Sequence, residues 1–245
     1  MSIESPAVLL VQNDVASGRE DSFDAWYLAD HMPDRVATPG FRRARRWRAI
    51  EGGPRDLSLY ELDGLDTLTS PAYCARLADP TPGTRQHMDA FIGMIRSACR
   101  VEHAAGFADG GFAVLLPFAA VPPTLPFAAV PPTLPFAAVP PTLPFAAVPP
   151  TLLAAPGWQP DPGTGIVACA ILRADLGTSL TDTVESRLRT VPDRHIPAAA
   201  WIEAASAAQA AAALHLARAA CSAAGLATGA AVLLRLVAAF QQPPR

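Results

Sequence analysis

Four identical copies of Pro-Phe-Ala-Ala-Val-Pro-Pro-Thr-Leu run in tandem from Pro117 to Leu152, and they limit the possible fold more than any other stretch. Each copy has three prolines in nine residues and no charge. Proline lacks a backbone N–H and fixes φ, so this region suits polyproline II or extended turns rather than a helix interior or a central strand. Structural repeats drift in sequence while keeping their packing positions. Perfect identity points instead to recent duplication of a short unit, inserted as a neutral loop. Removing three copies, 27 residues, from the 245 leaves 218, or 109 for each of two halves. A proline-rich docking segment is the alternative reading. It is weakened because no Arg or Lys flanks the prolines.

On either side of the repeat the chain alternates strand and helix signals. Residues 7–13 read as a strand buried on both faces. Arg19 to His31 read as a helix, with Phe23, Trp26 and Tyr27 apolar at spacings of three and four. Pro33 and Pro39 are expected to end it. Gly40 to Ile50 suit a second strand, Gly52-Gly53-Pro54 a turn, and Leu57 to Leu62 a third strand. Asp66 to Phe91 suit a helical region broken at Pro80-Thr81-Pro82-Gly83, and Ile92 to Val101 a fourth strand. That order is the ferredoxin-like βαββαβ unit. The second half repeats part of it: strands at Gly111–Leu116, Gly165–Leu172 and Ala199–Glu203, a helix at Ala207–Ala224, and a strand at Ala230–Phe240. Its first helix is missing or degraded, with the repeat in its place. The expected fold is α+β. Two ferredoxin-like units, 1–108 and a degenerate 109–245, fuse into one pseudo-dimeric α+β barrel that carries the proline-rich insertion (117–152) in the second unit.

Composition narrows the function classes. All 19 basic residues are Arg, and the net charge is −3, so no overall field draws nucleic acid or an anionic membrane. No signal-peptide pattern opens the chain, and the apolar stretch Ala230–Phe240 is too short to span a bilayer. Cys74, Cys99, Cys169 and Cys221 show no C-x-x-C spacing, which disfavours a zinc site or a disulfide framework. A reduced, cytoplasmic protein is the expectation.

The chemistry concentrates in Trp26-Tyr27-Leu28-Ala29-Asp30-His31-Met32-Pro33-Asp34-Arg35. Helical spacing puts Tyr27, His31 and Arg35 on one face, with Trp26 and Asp30 paired beside them. A carboxylate next to an imidazole fixes its tautomer and raises its pKa, as a general acid or base near neutrality requires. An arginine offers a fork of donors to a carboxylate, enolate or phenolate. The structural alternatives are a helix-end His31 that caps carbonyls, an ordinary Asp30–Arg35 surface pair, and Phe23 and Trp26 as core. Strand 40–50 alternates. Phe41, Arg43, Arg45 and Trp47 are expected on one face, and Arg42, Ala44, Arg46 and Arg48 on the other. Five arginines cannot all be buried unpaired. Either the strand is a solvated edge, or Arg45 or Arg46 points into a polar, anion-accepting space. His87, His103, His195 and His215 show no metal-ligand spacing. Val191-Pro-Asp-Arg194 echoes Met32-Pro-Asp-Arg35 by coincidence.

The segment Trp26-Tyr-x-x-Asp-His-Met-Pro-Asp-Arg35, with Pro39-Gly-Phe41 and Arg45-Arg-Trp47, resembles EthD-like members of the dimeric α+β barrel superfamily. Leu59-Tyr-Glu-Leu62 and Ser70-Pro-x-Tyr73 extend the resemblance over residues 7–105. It implies a ligand pocket between sheet and helices, with the family's helix-end histidine at His31. The second half has no matching Trp-Tyr…His segment, so one site per chain is expected. The functional expectation is a metal-independent, cofactor-free lyase or isomerase acting on a small anionic or enolisable metabolite. His31 would be the acid/base, with Asp30 and Tyr27 orienting it, and Arg35, Arg45, Arg46 and Trp26 would bind substrate. The alternatives are a non-catalytic ligand-binding or accessory protein, and a haem-binding barrel. A small-molecule ligand is the expected partner, with neither nucleic acid nor membrane, in a monomer containing the pseudo-dimer barrel or in a homodimer.

Overall fold

A computed structural model of the chain describes residues 3–119, 155, 158–179, 188 and 193–242. Most of the tandem repeat and the place of the second half's first helix lie outside the described residues, as do Val191 and Pro192 of the echoed motif.

Eight strands form a closed antiparallel barrel in the order β1-β3-β2-β8-β5-β7-β6-β4. They are β1 (Ala7–Val15), β2 (Phe41–Glu51), β3 (Asp56–Leu62), β4 (Phe91–Gly106), β5 (Phe112–Pro117), β6 (Ile166–Ala174), β7 (Ala198–Ala204) and β8 (Val232–Gln241). The first four strands run β4-β1-β3-β2 across the sheet, and the last four run β8-β5-β7-β6, the same relative order. The seams β2·β8 and β4·β6 join the two sets. All but the last two residues of β1 are buried, because one face meets the barrel lumen and the other meets helices.

Alternation along the strands sorts side chains into three cores. The lumen takes Val8, Leu10, Trp47, Leu59, Leu115, Leu172, Trp201 and Leu234. Trp47 and Trp201 meet edge to face with centroids 5.3 Å apart. Outside the first sheet, Leu9, Ala44, Tyr60 and Ala98 pack under helices of the first half. Outside the second, Val114, Ile171 and Ile202 pack under α6 (Ala207–Ala223), which presents Ala210, Ala213, Leu214, Ala217 and Cys221. Small side chains at those positions let the helix lie close to the sheet. No helix among the described residues is long and apolar enough to cross a membrane.

The first helical segment corrects an expectation. It does not stop at Pro33. It runs as α1 (Glu20–Trp26), a π-helical turn (Tyr27–His31) and α2 (Met32–Val36), with the Met32 N–H donating to the Tyr27 carbonyl. In plain α geometry the Pro33 ring would clash with the carbonyl four residues back, and the wider turn just before it accommodates the ring. His31 is therefore not at a helix end, and the carbonyl-capping reading falls away. The broken helical region resolves into α3 (Pro71–Ala78) and α4 (Pro82–His87), flanked by 3₁₀ turns. Each starts with proline after a hydroxyl cap: Ser70 Oγ accepts from the Tyr73 N–H, and Thr81 Oγ1 from the Thr84 N–H. The remaining described helix, α5, is the single turn Leu176–Ser179.

Strand β2 removes one of two alternatives. It is not a solvated edge but lies between β3 and β8. Gly40 enters it at φ 93°, where a Cβ would also strike the Thr67 side chain. The β2–β3 register slips between Phe41 and Arg43, so Phe41 turns to the helix side with Tyr60 and Tyr73, away from Arg43, Arg45 and Trp47.

Arg45 is fully buried in the lumen. Its Nη1 is 2.7 Å from Oε1 of Glu203, itself fully buried, and its Nη2 is 3.4 Å from Glu61. Glu203 also accepts from Trp201 Nε1 at 2.8 Å and from the Gly110 N–H at 2.9 Å. Arg43 forks onto Asp109 at 2.8 and 2.9 Å. The network ties β2 and β3 to β7 and to the connection between β4 and β5.

Two outcomes test this architecture. Glu203→Leu should lower unfolding free energy in urea by about 3–5 kcal/mol, because Arg45 loses its closest carboxylate. Adding Arg45→Met should recover most of the loss. Deleting any 27-residue run of three repeat copies leaves Leu116 followed by the same Pro-Phe-Ala-Ala. Since Phe118 is buried, pairs with Thr228 and packs on Trp158, the shortened chain should keep its thermal midpoint within about 2 °C in a calorimetric scan.

Candidate functional site

The π turn sets the geometry of the Trp26–Arg35 segment. Phe23, Trp26, Tyr27, His31, Met32, Arg35 and Val36 are all buried against the outer face of the first sheet. The core reading of Phe23 and Trp26 therefore stands. The His31 ring lies 4.9 Å from the Trp26 ring and 4.8 Å from the Tyr27 ring, centroid to centroid. The Tyr27 hydroxyl meets the Tyr60 hydroxyl of β3 at 3.1 Å. One of the two donates to the other, so the pair keeps one O–H for another acceptor. Burial, with the Tyr27 phenol against it, pushes the Tyr60 hydroxyl well above its ordinary range, against the pull of Arg35 and Arg46. The Tyr60 hydroxyl is therefore neutral at physiological pH.

His87, at the end of α4, stacks on the same Trp26 indole. Its ring and that of Trp26 are parallel within 2°, with centroids 4.9 Å apart. Its Nδ1 is 2.9 Å from the Gly83 carbonyl. A carbonyl only accepts, so Nδ1 carries the proton and Nε2 of the neutral ring carries the lone pair. Gly83 lies so close that a Cβ there would run into the Asp30 carboxylate and the Trp26 indole. Asp30 accepts from Thr81 Oγ1 at 2.9 Å, which fastens the π turn to the cap of α4.

The arginines separate by face. Arg35 is buried beside Asp34 at 3.3 Å, with its guanidinium carbon 5.7 Å from the Tyr73 ring centroid. The Arg46 guanidinium carbon is 4.0 Å from the Tyr27 centroid and 5.5 Å from that of Phe23. Arg46 Nη2 reaches Asp24 at 2.8 Å and Asp56 at 3.2 Å. Arg45 lies on the opposite face of the sheet, in the lumen network, so it does not join His31. Of the seven residues singled out in the sequence, six thus gather on the helix side: Trp26, Tyr27, Asp30, His31, Arg35 and Arg46. Sequence reasoning left His87 and Tyr60 without roles. The proline before α4 and the i, i+4 relation of Gly83 to His87 are the only local traces of the first. For Tyr60 the trace was its place in strand alternation. Among the described residues, no group of three or more His, Cys, Asp or Glu is placed to hold a metal.

The pairing registers show what the described strands of the second half carry at the equivalent positions. Arg46 faces Ser58 in β2·β3, and Ile171 faces Ala200 in β6·β7. Ala44 faces Tyr60, and Cys169 faces Ile202. Positions that carry Arg46 and Tyr60 in the first sheet thus carry Ile171 and Ile202 in the second. Both isoleucines belong to the apolar core under α6.

No family model and no curated protein matches the sequence. Solved structures do match in shape. An anthrone oxidase-like protein is similar at 10% identity and TM-score 0.54, over 100% of this chain and 97% of that one. A protein named as a monooxygenase, from Fusobacterium nucleatum, is similar at 9% identity and TM-score 0.53, over 98% and 96%. A protein named as a chlorite dismutase is similar at 12% identity and TM-score 0.51, over 96% of each chain. Identities this low speak for the fold and not for the chemistry. On that level this chain has the α+β barrel fold of these proteins, the fold expected from the sequence.

Proposed function

We propose that the first half of the chain is a cofactor-free acid–base site for a small anionic or enolisable metabolite, with lyase or isomerase chemistry, and that the second half completes the barrel. In this reading the chain is two fused ferredoxin-like units, 1–108 and 109–245. The observation that carries it is the π-helical turn at Tyr27–His31, since such turns recur at functional sites. The turn holds a buried imidazole against Tyr27 and Trp26, beside a buried phenol pair and two buried arginines. His31 moves the proton at the substrate carbon. Tyr27 orients it, and Asp30 holds the turn in place through Thr81. The spare O–H of the Tyr27–Tyr60 pair and the Arg46 and Arg35 guanidiniums stabilise the enolate that forms. A neutral, high-pKa tyrosine suits that role, because it can donate a hydrogen bond without ionising.

A second reading, a haem-binding barrel, is favoured by one observation. The Gly83 carbonyl holds the Nδ1–H of His87, the arrangement that leaves Nε2 to ligate iron. Haem would supply redox chemistry, and His87 would be its protein ligand.

Phenylpyruvate, an aromatic enolisable monoanion, serves as a reaction probe. The protein should accelerate deuterium exchange at its benzylic carbon, followed by NMR. His31→Asn should cut that acceleration by about 10²-fold with the thermal midpoint unchanged. No acceleration, or acceleration retained by the variant, sinks the acid–base reading. For haem the readout is a Soret band in protein reconstituted with hemin, lost in His87→Ala; its absence removes the second reading.

A further inference from the structure

Beside Tyr27, three arginines and two aspartates form a cage in which every arginine touches both carboxylates. Asp24 lies 2.8 Å from Arg46, 2.7 Å from Arg48 and 2.9 Å from Arg55. Asp56 lies 3.2 Å from Arg46, 2.8 Å from Arg48 and 2.5 Å from Arg55. Arg46 and Asp56 are enclosed, whereas Arg48, Arg55 and Asp24 reach solvent through about a quarter of their side-chain surface. Burial raises the Asp24 carboxyl, but hydrogen bonds from Arg55 and Arg48 and the charges of Arg46 and Arg48 outweigh it and keep Asp24 ionised.

The cage carries one positive charge more than it neutralises. The adjacent outlying charges do not change this. Asp14, which accepts the Arg55 backbone N–H, and Arg235, opposite Arg48 in the β2·β8 register, are both exposed and of opposite sign. The surplus has a place to act. Nε and Nη1 of Arg46 are buried and have no hydrogen-bond partner among the described residues, whereas Nη2 is taken by Asp24. Leaving charged donors buried and unmet is costly unless a ligand or water meets them. The same guanidinium stacks on Tyr27 and lies beside Phe23, so whatever meets those donors lies next to aromatic faces.

We propose that this cage is the specificity element of the site: it selects a ligand with a single negative charge, carried as a carboxylate or enolate oxygen on an aromatic or similarly flat body. The selection works by charge count. Arg46 supplies the donors, Arg48 and Arg55 supply the surplus charge, and Asp24 and Asp56 reduce the cage to one net positive charge, so that a dianion is not favoured. The proposal rests on the reading of this half as a ligand site, but not on His31 chemistry.

Phenylacetate, which matches the reaction probe in shape and charge, tests it by calorimetric titration of the full-length protein. Phenylacetate should bind at least about tenfold more tightly than neutral phenylacetamide. Arg55→Gln, at the solvent edge, brings the cage to neutrality and should weaken phenylacetate about tenfold. Asp24→Asn doubles the surplus and should tighten it by a similar factor. A merely structural cage predicts that both variants weaken binding or leave it alone. His31→Asn should bind phenylacetate like the parent, so loss of proton exchange with binding intact counts against the acid–base reading and not against the cage. Equal binding of acid and amide, no binding of phenylacetate, or an Asp24→Asn variant that fails to gain affinity overturns the proposal.

Discussion

Mutual closure of two incomplete sheets is the constraint on which the rest of this structure depends. The set β4-β1-β3-β2 ends in two strands with an unpaired edge, and so does β8-β5-β7-β6. Open edges expose rows of unpaired N–H and C=O groups. Pairing β2 with β8 and β4 with β6 removes all four edges at once and creates a lumen that neither set has alone. Both seams shift register once or twice, at Arg46/Trp47 and Ala49/Glu51 in one and at Val101/His103 in the other. Bulges of this kind bend strands, which a closing sheet requires. Closure also explains the burial of β2. An edge strand could have left its five arginines in water, whereas an interior one must pair them.

The two faces of β2 solve that pairing problem differently. In the lumen Arg45 meets Glu203 across the barrel, with Glu61 beside it. The registers place Glu61 and Glu203 at equivalent positions of the two sheets, opposite Arg43 and Ala168 respectively. Two lumen carboxylates from two halves are thus served by arginines from one half only. Burial raises the Glu61 carboxyl, against the lowering pull of Arg45 and Arg43. On the outer face Arg46 has aromatic rings as well as carboxylates around it, and keeps donors unmet. Nε and Nη2 of Arg45 likewise have no hydrogen-bond partner among the described residues, so the two arginines differ in surroundings: Arg45 lies over the Trp47 indole among lumen carboxylates, and Arg46 over the Tyr27 and Phe23 rings.

Much of this was legible in the sequence, for identifiable reasons. Strand and helix order followed from apolar runs and punctuation, and the described elements keep that order. What local pattern does not carry is a shift of phase. Strict alternation put Phe41 with Arg43, and the slip between them moved it to the other face. A proline read as a stop put the helix end before Pro33, and a wider turn carried the helix through. His87 was beyond reach, since its stacking on Trp26 depends on how α4 lies across the first helix. Arg45 and Arg46 are neighbours in sequence and separated by the whole thickness of the sheet, so the pattern showed that they differ while tertiary structure decided which one meets Tyr27. The reading of the repeat as an insertion stays an expectation, since the described residues include only its first three positions, Pro117, Phe118 and Ala119.

An asymmetry between halves is built into the described strands of the sheet. If the second half had merely lost a helix, its outer face would still carry polar side chains for a ligand. Instead the strand positions equivalent to Arg46 and Tyr60 are Ile171 and Ile202, and the position equivalent to Asp56 is Ala198. Each of these changes removes a buried polar group whose partner lies in the first helical segment or the cage. Ile171 and Ile202 then fill a dry core against the small side chains of α6. Such an exchange is stabilising where no ligand must be met, because a buried polar group without a partner costs more than a well-packed aliphatic one. The first half retains that cost at Arg46, beside a π turn that is itself a departure from the regular helix.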